Sequence, residues 1–388
     1  MDKQNLFQNI KAFFSNKEPL PPGMYSFQSP SDASEQYRLH LRIEKDGSGI
    51  LVINAATVLH LNQTAVEFAY HIIQQTEVNI VIDQVSKRYQ VDKSQIKADF
   101  MAFKDKIDTL IHTPDLDPVT YLDIERQEPY SVEIAAPYRM DCALTYRVGE
   151  GSHIEHAPVD RVDRELSTEE WGIILNKAAN IGIPHLLFTG GEPTLREDLP
   201  DLVLQAEELG LVTGLLTDGL KLGNDDYRNA LLRNGLDHLM IVLDANKQEM
   251  WQILETVLAE DIFTTVHLTL RKDEVLNPHI KRLAEMGANA LSLSTVDKDM
   301  TEKLQQLRDA AAVLQLDLVW DMPVPYSSNN PVALELEEAV DSQKPPEGAG
   351  KAWLYIEPDG DVLPAQGMYD QIMGNFLTDP WEDIWNKK

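Results

Sequence analysis

The residues best suited to chemistry follow short apolar stretches in the middle of the chain. The most compact group consists of Gly190, Gly191, Glu192 and Pro193. Asp218 and Asp244 each follow a later apolar stretch. Glycines let a backbone come close to a ligand, and a carboxylate offers a charge-assisted partner for an ammonium group. These residue types suit a ligand-binding site, although the glycine-rich run also suits a tight turn from a strand into a helix.

Cys142 is the only cysteine among the 388 residues. A single cysteine excludes a disulfide within the chain, and a 4Fe–4S cluster is held by several cysteine thiolates. Free cysteines usually behave as small buried hydrophobic residues. We therefore expect a packing role for Cys142 and no iron–sulfur cluster.

A third group of candidate ligands is spread between residues 148 and 166. It consists of His153, His156, Asp160 and Asp163. Structural zinc sites use donors of these types at short, regular spacings, whereas loosely spaced donors in an acidic loop are more often solvated. We expect solvated side chains here and no metal site.

The chain is strongly acidic, with 34 basic and 63 acidic side chains and a formal net charge of −29. This charge repels phosphate backbones and anionic membrane surfaces, so neither nucleic acid nor a membrane is expected as a partner. The first residues lack the apolar core and cleavage site of a signal peptide. No run approaches the ~18 apolar residues of a membrane span. These patterns predict a soluble, cytoplasmic protein.

Short apolar strands alternate with amphipathic helices from residue 130 to about 294, which is typical of an α/β fold with a parallel sheet. Strands are predicted near 131–136, 184–188, 211–216, 238–243, 264–270 and 290–295. Helices are predicted near 168–181, 197–209, 225–234, 247–259, 278–286 and 300–314. Functional loops of such sheets lie at the carboxyl ends of the strands, where the glycines and carboxylates described above fall.

The flanking segments have a different organisation. Residues 1–29 predict a short amphipathic helix and a linker. Residues 30–113 predict a hairpin followed by three helices, the arrangement of a winged helix-turn-helix domain. Residues 114–129 predict a linker rich in proline and acidic residues. Residues 316–388 predict an extension with a β-hairpin that turns at a Pro-Asp-Gly sequence.

Several pieces together resemble the core of the radical S-adenosylmethionine (SAM) superfamily: residues 129–134, the loop at 137–147, the Gly-Gly-Glu-Pro run and the later Thr-Asp-Gly sequence. The resemblance implies a partial (β/α)6 barrel over residues 130–315. It also implies a loop with cysteines spaced Cys-x3-Cys-x2-Cys, which holds a 4Fe–4S cluster. Those three positions fall on Met140, Leu144 and Arg147, so the cluster is predicted to be absent.

The same resemblance assigns a SAM pocket to the glycine-rich run. Backbone oxygens and Glu192 would receive the amino group of the methionyl part of SAM. Asp218 replaces the usual asparagine of a Thr-Asn-Gly sequence, and Val242 stands where a ribose-binding polar residue is common. Asp244 is retained. A residual SAM pocket therefore stays open as a prediction.

Residues 30–113 resemble the peptide-recognition element of ribosomal-peptide-modifying enzymes, of the pyrroloquinoline quinone biosynthesis protein D type. The resemblance rests on a Leu-Asn-x-Thr-Ala sequence that starts at Leu61 and an Arg-Tyr-x-Val-Asp sequence that starts at Arg88, while residues 74–77 depart from it. It implies a leader peptide or a partner protein that adds as a strand to an exposed sheet edge. An ordinary winged helix that packs on the next domain is the alternative.

Residues 316–388 resemble the SPASM or twitch extension of peptide-modifying radical enzymes. In that pattern a cysteine follows the hairpin proline, where Ala365 stands, and another is expected near Glu347. The auxiliary cluster of this extension is therefore also predicted to lack its ligands.

These predictions favour a pseudoenzyme, a radical SAM scaffold that binds a peptide or a partner protein in peptide maturation without reductive cleavage of SAM. Two alternatives stay open. One is an enzyme that uses SAM, or another small molecule, in the retained pocket without iron. The other is an interaction module in which only the winged helix matters.

Overall fold

The computed structural model describes residues 20–30, 32–33, 36–54, 57–113, 121, 134–149, 157–272, 275–295, 300–319, 322–323 and 348–387. The predicted N-terminal helix, His153, His156 and Glu347 lie outside these residues. The chain divides into two compact units, one of residues 1–135 with 177–184 and one of residues 136–176 with 185–388.

The first unit combines a four-stranded antiparallel sheet with three helices. Its strands are β1 (Gly23–Gln28), β2 (Arg38–Ile43), β3 (Gly49–Ile53) and β4 (Thr57–Leu61), paired in that order. Its helices are α1 (Gln63–Ile73), α2 (Val78–Tyr89) and α3 (Lys93–His112). The predicted hairpin corresponds to β2 and β3, whereas β1 and β4 go beyond the prediction.

Local sequence explains most of this unit. Asn62 caps α1 by accepting a hydrogen bond from the backbone, and Asp92 caps α3 in the same way, as short polar side chains commonly do. Side chains such as Leu41 and Phe68 form one apolar core between the sheet and the helices. The sequence did not predict β1, because prolines precede it and it forms no continuous apolar run; in the structure its side chains are exposed or half-buried.

The second unit is built on a sheet with ten strands in the part of the chain that the structure describes. Seven of them are consecutive strands joined by helices and pair in parallel with one another: β5 (Arg139–Thr145), β6 (His185–Gly190), β7 (Val212–Thr217), β8 (His238–Val242), β9 (Phe263–Leu270), β10 (Ala290–Thr295) and β11 (Asp317–Leu318). The other three are β12 (Trp353–Ile356), β13 (Asp361–Leu363) and β14 (Gly374–Asn375). They continue the sheet beyond β5.

Helices connect the parallel strands. They are α4 (Thr168–Ile181), α5 (Leu199–Glu208), α6 (Asp225–Arg233), α7 (Gln248–Leu258), α8 (Asn277–Met286) and α9 (Thr301–Val313), and the short α10 (Trp381–Trp385) follows β14. The six connecting helices begin and end within two residues of their predicted bounds. The predicted α/β fold with a parallel sheet is confirmed. Among the described residues, no helix is both long and apolar enough to span a membrane.

The first parallel strand differs from the prediction of a loop over 137–147; the strand predicted near 131–136 lies outside the described residues from 131 to 133, and residues 134–136 are not in a strand. Residues 139–145 form β5 instead, and all seven are buried. Because side chains alternate across a strand, Met140 and Leu144 share one face. Arg139 and Asp141 share the other, as an ion pair of 2.7 Å. The strand could not be predicted because these two charged residues interrupt the continuous apolar run that is typical of a buried parallel strand.

The prediction of a loop at Met140 and Leu144 is therefore wrong. Both residues lie inside β5 with fully buried side chains, so they cannot present ligands as a loop would. Only Arg147 lies beyond the end of the strand. A different alignment of the cluster motif restores no ligand set, because the chain has a single cysteine.

The C-terminal hairpin belongs to the same sheet. β12 and β13 pair antiparallel on either side of the predicted Pro-Asp-Gly turn. β12 also pairs in parallel with β5, which places Tyr355 opposite Asp141. The hairpin and β14 therefore extend the sheet on the β5 side.

Candidate functional site

The predicted glycines and carboxylates lie at the carboxyl ends of neighbouring parallel strands. Gly190 ends β6, Asp218 follows β7 and Asp244 lies two residues beyond β8. Pro193 begins a short 3-10 turn directly after the glycine pair and Glu192. Functional loops of parallel sheets lie at this edge, and the structure brings the predicted residues together there.

The two glycines allow a close approach between the Gly-Gly-Glu-Pro loop and the chain that leaves β5. A Cβ atom on Gly190 would lie 2.2 Å from the carbonyl oxygen of Thr145. One on Gly191 would lie 2.1 Å from the carbonyl oxygen of Arg147. Gly190 also has a φ of 124°, which residues with side chains rarely adopt. The interpretation of this loop as a tight turn therefore has a direct packing basis.

Backbone hydrogen bonds hold the same contact. The Gly191 amide donates to the Thr145 carbonyl at 2.6 Å. The Glu192 amide donates to the Arg147 carbonyl at 2.7 Å. Both glycines thus serve the protein's own backbone at a place where the resemblance assigns a ligand.

Glu192 joins the loops that follow β6 and β7. Its Oε1 accepts hydrogen bonds from the amide and the hydroxyl of Thr194, at 2.9 and 2.5 Å, and from the hydroxyl of Thr217 at 2.8 Å. Its Oε2 accepts from the amide of Asp218 at 2.8 Å. A carboxylate has about four lone-pair positions. These donors engage both oxygens, so the buried side chain is bound by the protein itself.

Asp218 lies beside Glu192 and is half-buried. Burial and the neighbouring Glu192 carboxylate raise the pKa of Asp218 to about 7. The Leu220 amide donates to its Oδ1 at 2.9 Å, and this bond, together with the charge of Lys247, opposes the rise. The two carboxyl groups lie within hydrogen-bonding reach of each other. Asp218 therefore retains its proton up to about neutral pH.

Asp244 is engaged locally. Its carboxylate accepts a hydrogen bond from the Asn246 amide at 3.1 Å and lies 3.4 Å from the ammonium group of Lys247. Lys247 also acts on Asp218, so it links the ends of β7 and β8 electrostatically. The side chain of Val242, at the end of β8, offers no hydrogen-bonding group at the position where the resemblance places a ribose partner.

The chain around the end of β5 does not fit an iron–sulfur cluster. Cys142 is fully buried within the strand, and burial raises the pKa of its thiol well above the usual value, whereas metals bind the thiolate. The guanidinium group of Arg147 is exposed and lies 3.5 Å from Glu165. Asp160 and Asp163 are also exposed. The described residues contain no group of three or more His, Cys, Asp or Glu placed to hold a metal ion.

A buried ion pair that the sequence did not reveal anchors the chain after β5. The guanidinium group of Arg161 donates to the buried carboxylate of Glu357, at 2.7 Å for Nη2. It also lies 4.3 Å from the centre of the Tyr369 ring. The hydroxyl of Tyr146 donates to the same carboxylate at 2.9 Å, and burial raises the pKa of this phenol. Arg161 and Glu357 are 196 residues apart, so no local pattern could have indicated the contact.

A second polar cluster that sequence reasoning missed lies on β9 and β10. His267 is fully buried, and burial lowers its pKa to about 3, so the imidazole is neutral. Its Nδ1 lies 3.0 Å from the hydroxyl of Ser292. Its Nε2 lies 2.9 Å from the hydroxyl of Ser294 and 3.2 Å from that of Thr269. The ring is satisfied by its neighbours, which indicates a packing role within the sheet.

Comparison with known families agrees with the arrangement of strands and loops. Residues 142–273 match the sequence profile of the Radical SAM superfamily. This segment of the chain belongs to the radical SAM superfamily. The match begins inside β5 and extends past β9, so it contains the Gly-Gly-Glu-Pro loop and the ends of β7 and β8. The membership predicted from the sequence is confirmed.

The chain is similar to two curated proteins named PqqA peptide cyclase. The one from Streptomyces rochei is 26% identical over 278 residues, which is 65% of this chain and 76% of the relative. The one from Rhizobium meliloti (strain 1021) is 36% identical over 118 residues, which is 30% of this chain and 31% of the relative. Both relatives are named for action on a peptide.

Its fold is similar to that of SuiB from Streptococcus suis. The crystal structure of SuiB bound to precursor peptide SuiA gives a TM-score of 0.61 at 14% identity, covering 89% of this chain and 86% of SuiB. The structure of SuiB bound to S-adenosylmethionine gives 0.59 at 13% identity, covering 93% and 88%. At this level of identity the likeness shows a shared fold.

Proposed function

We propose that this radical SAM superfamily protein binds a peptide or a partner protein during peptide maturation and does not cleave SAM reductively. The observation that carries the proposal is the single cysteine, Cys142, buried inside β5. A 4Fe–4S cluster needs several thiolate ligands. The chain cannot supply them, so it has no resident source of the electron that reductive cleavage consumes.

The glutamate of the Gly-Gly-Glu-Pro loop supports the same proposal. Glu192 accepts hydrogen bonds from Thr194, Thr217 and Asp218 on both carboxylate oxygens. The ammonium group of a ligand would have to compete with these donors for the carboxylate, and a buried donor left without a partner costs about 1–3 kcal/mol. In this proposal the loop is a structural joint between strands.

The first unit offers a sheet edge to a peptide. Its strands follow the order β1-β2-β3-β4, and within the described residues β4 pairs with β3 alone. An edge strand presents unpaired N–H and C=O groups to which an extended peptide can add. His60 is exposed on β4 between the buried Leu59 and Leu61. SuiB, a protein of similar fold, has been crystallised with its precursor peptide, which favours a peptide as the kind of partner.

Anaerobic reconstitution with iron and sulfide tests the cluster-free part of the proposal. We expect no iron to remain after desalting and no absorption typical of a 4Fe–4S cluster. A radical SAM enzyme with three cluster cysteines, treated in parallel, is the positive control. Appearance of the cluster spectrum in the unmodified chain would overturn the proposal.

Titration of the full-length chain with short peptides encoded beside its gene tests the peptide part. Thr57→Pro and Val58→Pro form a matched pair, because successive amides of a strand point to opposite sides. Proline lacks the backbone N–H group, so one variant loses a hydrogen bond from β4 to β3, and the other loses an N–H donor on the open edge of β4. We expect the variant that keeps parental stability to lose peptide binding. Undiminished binding by that variant would remove β4 as the docking edge.

The alternative, use of SAM in the retained pocket without iron, is favoured by one observation. All four residues of the Gly-Gly-Glu-Pro sequence are present. Calorimetry with SAM distinguishes the two proposals. Tight binding that is lost in Glu192→Gln would support the alternative, whereas no detectable heat would support a pocket that has become structural.

A further inference from the structure

The loops that follow β6 and β7 meet at two carboxyl groups. Glu192 accepts from the hydroxyl of Thr217 at 2.8 Å and from the amide of Asp218 at 2.8 Å. The carboxyl group of Asp218 also lies within hydrogen-bonding reach of Glu192. The β6 loop is thus held to the end of β7 by three contacts to one buried glutamate, and one of these contacts needs a proton.

The charged groups around Glu192 and Asp218 have partners of their own and do not replace the proton on Asp218. Lys247, which follows β8, is the cation that acts on Asp218, but it forms an ion pair of 3.4 Å with Asp244. From the end of β5, Arg147 offers its backbone carbonyl to the Glu192 amide, while its side chain pairs with Glu165.

Two further groups come from the segment after β7. Lys221 donates to the Thr194 carbonyl at 2.6 Å, and its ammonium group lies 4.4 Å from the centre of the Tyr227 ring. Tyr227 is close enough to Glu192 for that carboxylate to contribute to the raised pKa of the phenol, after burial. Lys221 does not neutralise the carboxyl pair directly, because its ammonium group has these other partners.

We infer that the Glu192–Asp218 pair is a pH-sensitive joint, which closes the contact between the two loops when it holds a proton and loosens it when it holds none. Without the proton, two carboxylates face each other in a buried setting, and repulsion adds to the loss of solvation. The repulsion between the two carboxylates then opposes the hydrogen bond from the Asp218 amide to Glu192, which weakens the contact between the loops.

The direction of the pH dependence follows from the two states of the joint. Burial and Glu192 raise the pKa of Asp218 to about 7 in the closed state, whereas an opened loop returns it toward ~3.9. Between these values the opened state has released a proton that the closed state keeps, so opening becomes easier as pH rises. Above neutral pH both states are deprotonated, and the dependence levels off.

Hydrogen–deuterium exchange of the full-length protein between pH 5 and pH 8 tests the inference, after correction for intrinsic exchange rates. We expect protection of residues 188–197 and 215–222 to fall at least about tenfold between pH 5 and pH 7 and then to stay level. The helix at 248–258 provides an internal control and should show no such change.

Asp218→Asn is the matched variant, because its amide donates to Glu192 at every pH as the protonated acid does. We expect this variant to keep the protection of the two loops constant across the range and to exceed the parent at pH 7.5. Equal pH dependence in the parent and the variant would overturn the inference.

A second measurement covers the case in which that variant folds poorly. Carbon-13 labelling of aspartate carboxyl groups in the parent should reveal one that titrates near pH 7 and moves to another pH in Glu192→Gln. The absence of any aspartate titrating between pH 6 and pH 8 would equally overturn the inference.

Discussion

Replacing Gly191 by alanine should destabilise the parallel-sheet unit even though no ligand is involved. The added Cβ atom would lie 2.1 Å from the Arg147 carbonyl oxygen and has to move to about 3.0 Å. A backbone shift of this size breaks two buried hydrogen bonds, from Gly191 to Thr145 and from Glu192 to Arg147. With about 1–1.5 kcal/mol for each bond and about 1–2 kcal/mol for strain, the loss is roughly 3–5 kcal/mol.

Urea unfolding followed by circular dichroism and tryptophan fluorescence measures this loss. Gly149→Ala is the matched control, because no atom lies within 4 Å of the Cβ that it would add. The control should be neutral or slightly more stable, since alanine restricts the unfolded chain. Unfolding of Gly191→Ala at the same urea concentration as Gly149→Ala would show that Gly191 is not required for packing. That result would support the assignment of the glycine pair to a ligand pocket.

Other buried groups allow further tests. Glu357→Gln removes the charge that neutralises Arg161 and should lower the free energy of unfolding by about 2–4 kcal/mol in urea, whereas Glu285→Gln, in an exposed pair with Lys281, should change it little. Cys142 should react with a thiol reagent only after denaturant is added, and rapid reaction of the folded protein would contradict its burial in β5. Because its pKa is raised to about 7 in the folded state, Asp218 alone should lower the free energy of unfolding by roughly 2–4 kcal/mol between pH 4 and pH 7. Asp218→Asn should remove that part of the pH dependence, and equal slopes in both proteins would contradict it.

The connecting helices could be predicted closely because their apolar residues recur at helical spacing. The strands from β6 to β10 could be predicted because each is a short continuous apolar run, which is typical of a buried strand. β5 could not, because Arg139 and Asp141 interrupt its apolar pattern and neutralise each other only in the folded sheet. The missed strand also displaced two of the three expected cluster positions.

The chemistry of the site was harder to predict than its location. The position of Glu192 and Asp218 at the carboxyl ends of strands followed from the alternation of strands and helices. Their contact with each other depends on which strands are neighbours, and the raised pKa of Asp218 depends on burial. The pair of Arg161 with Glu357 joins distant parts of the chain, which no spacing rule can identify.

The pairing of β12 with β5 has a consequence for how the protein is made. Trp353 lies opposite Arg139 in that pair, so β5 leaves the ribosome more than 200 residues before the strand that covers its outer side. Until then β5 is an edge strand with open backbone groups, the kind of edge that invites unwanted pairing. Its charged residues, Arg139 and Asp141, are the feature that lowers this risk during synthesis. The two charges that interrupt the apolar pattern of the strand thus also protect its edge until the sheet is complete.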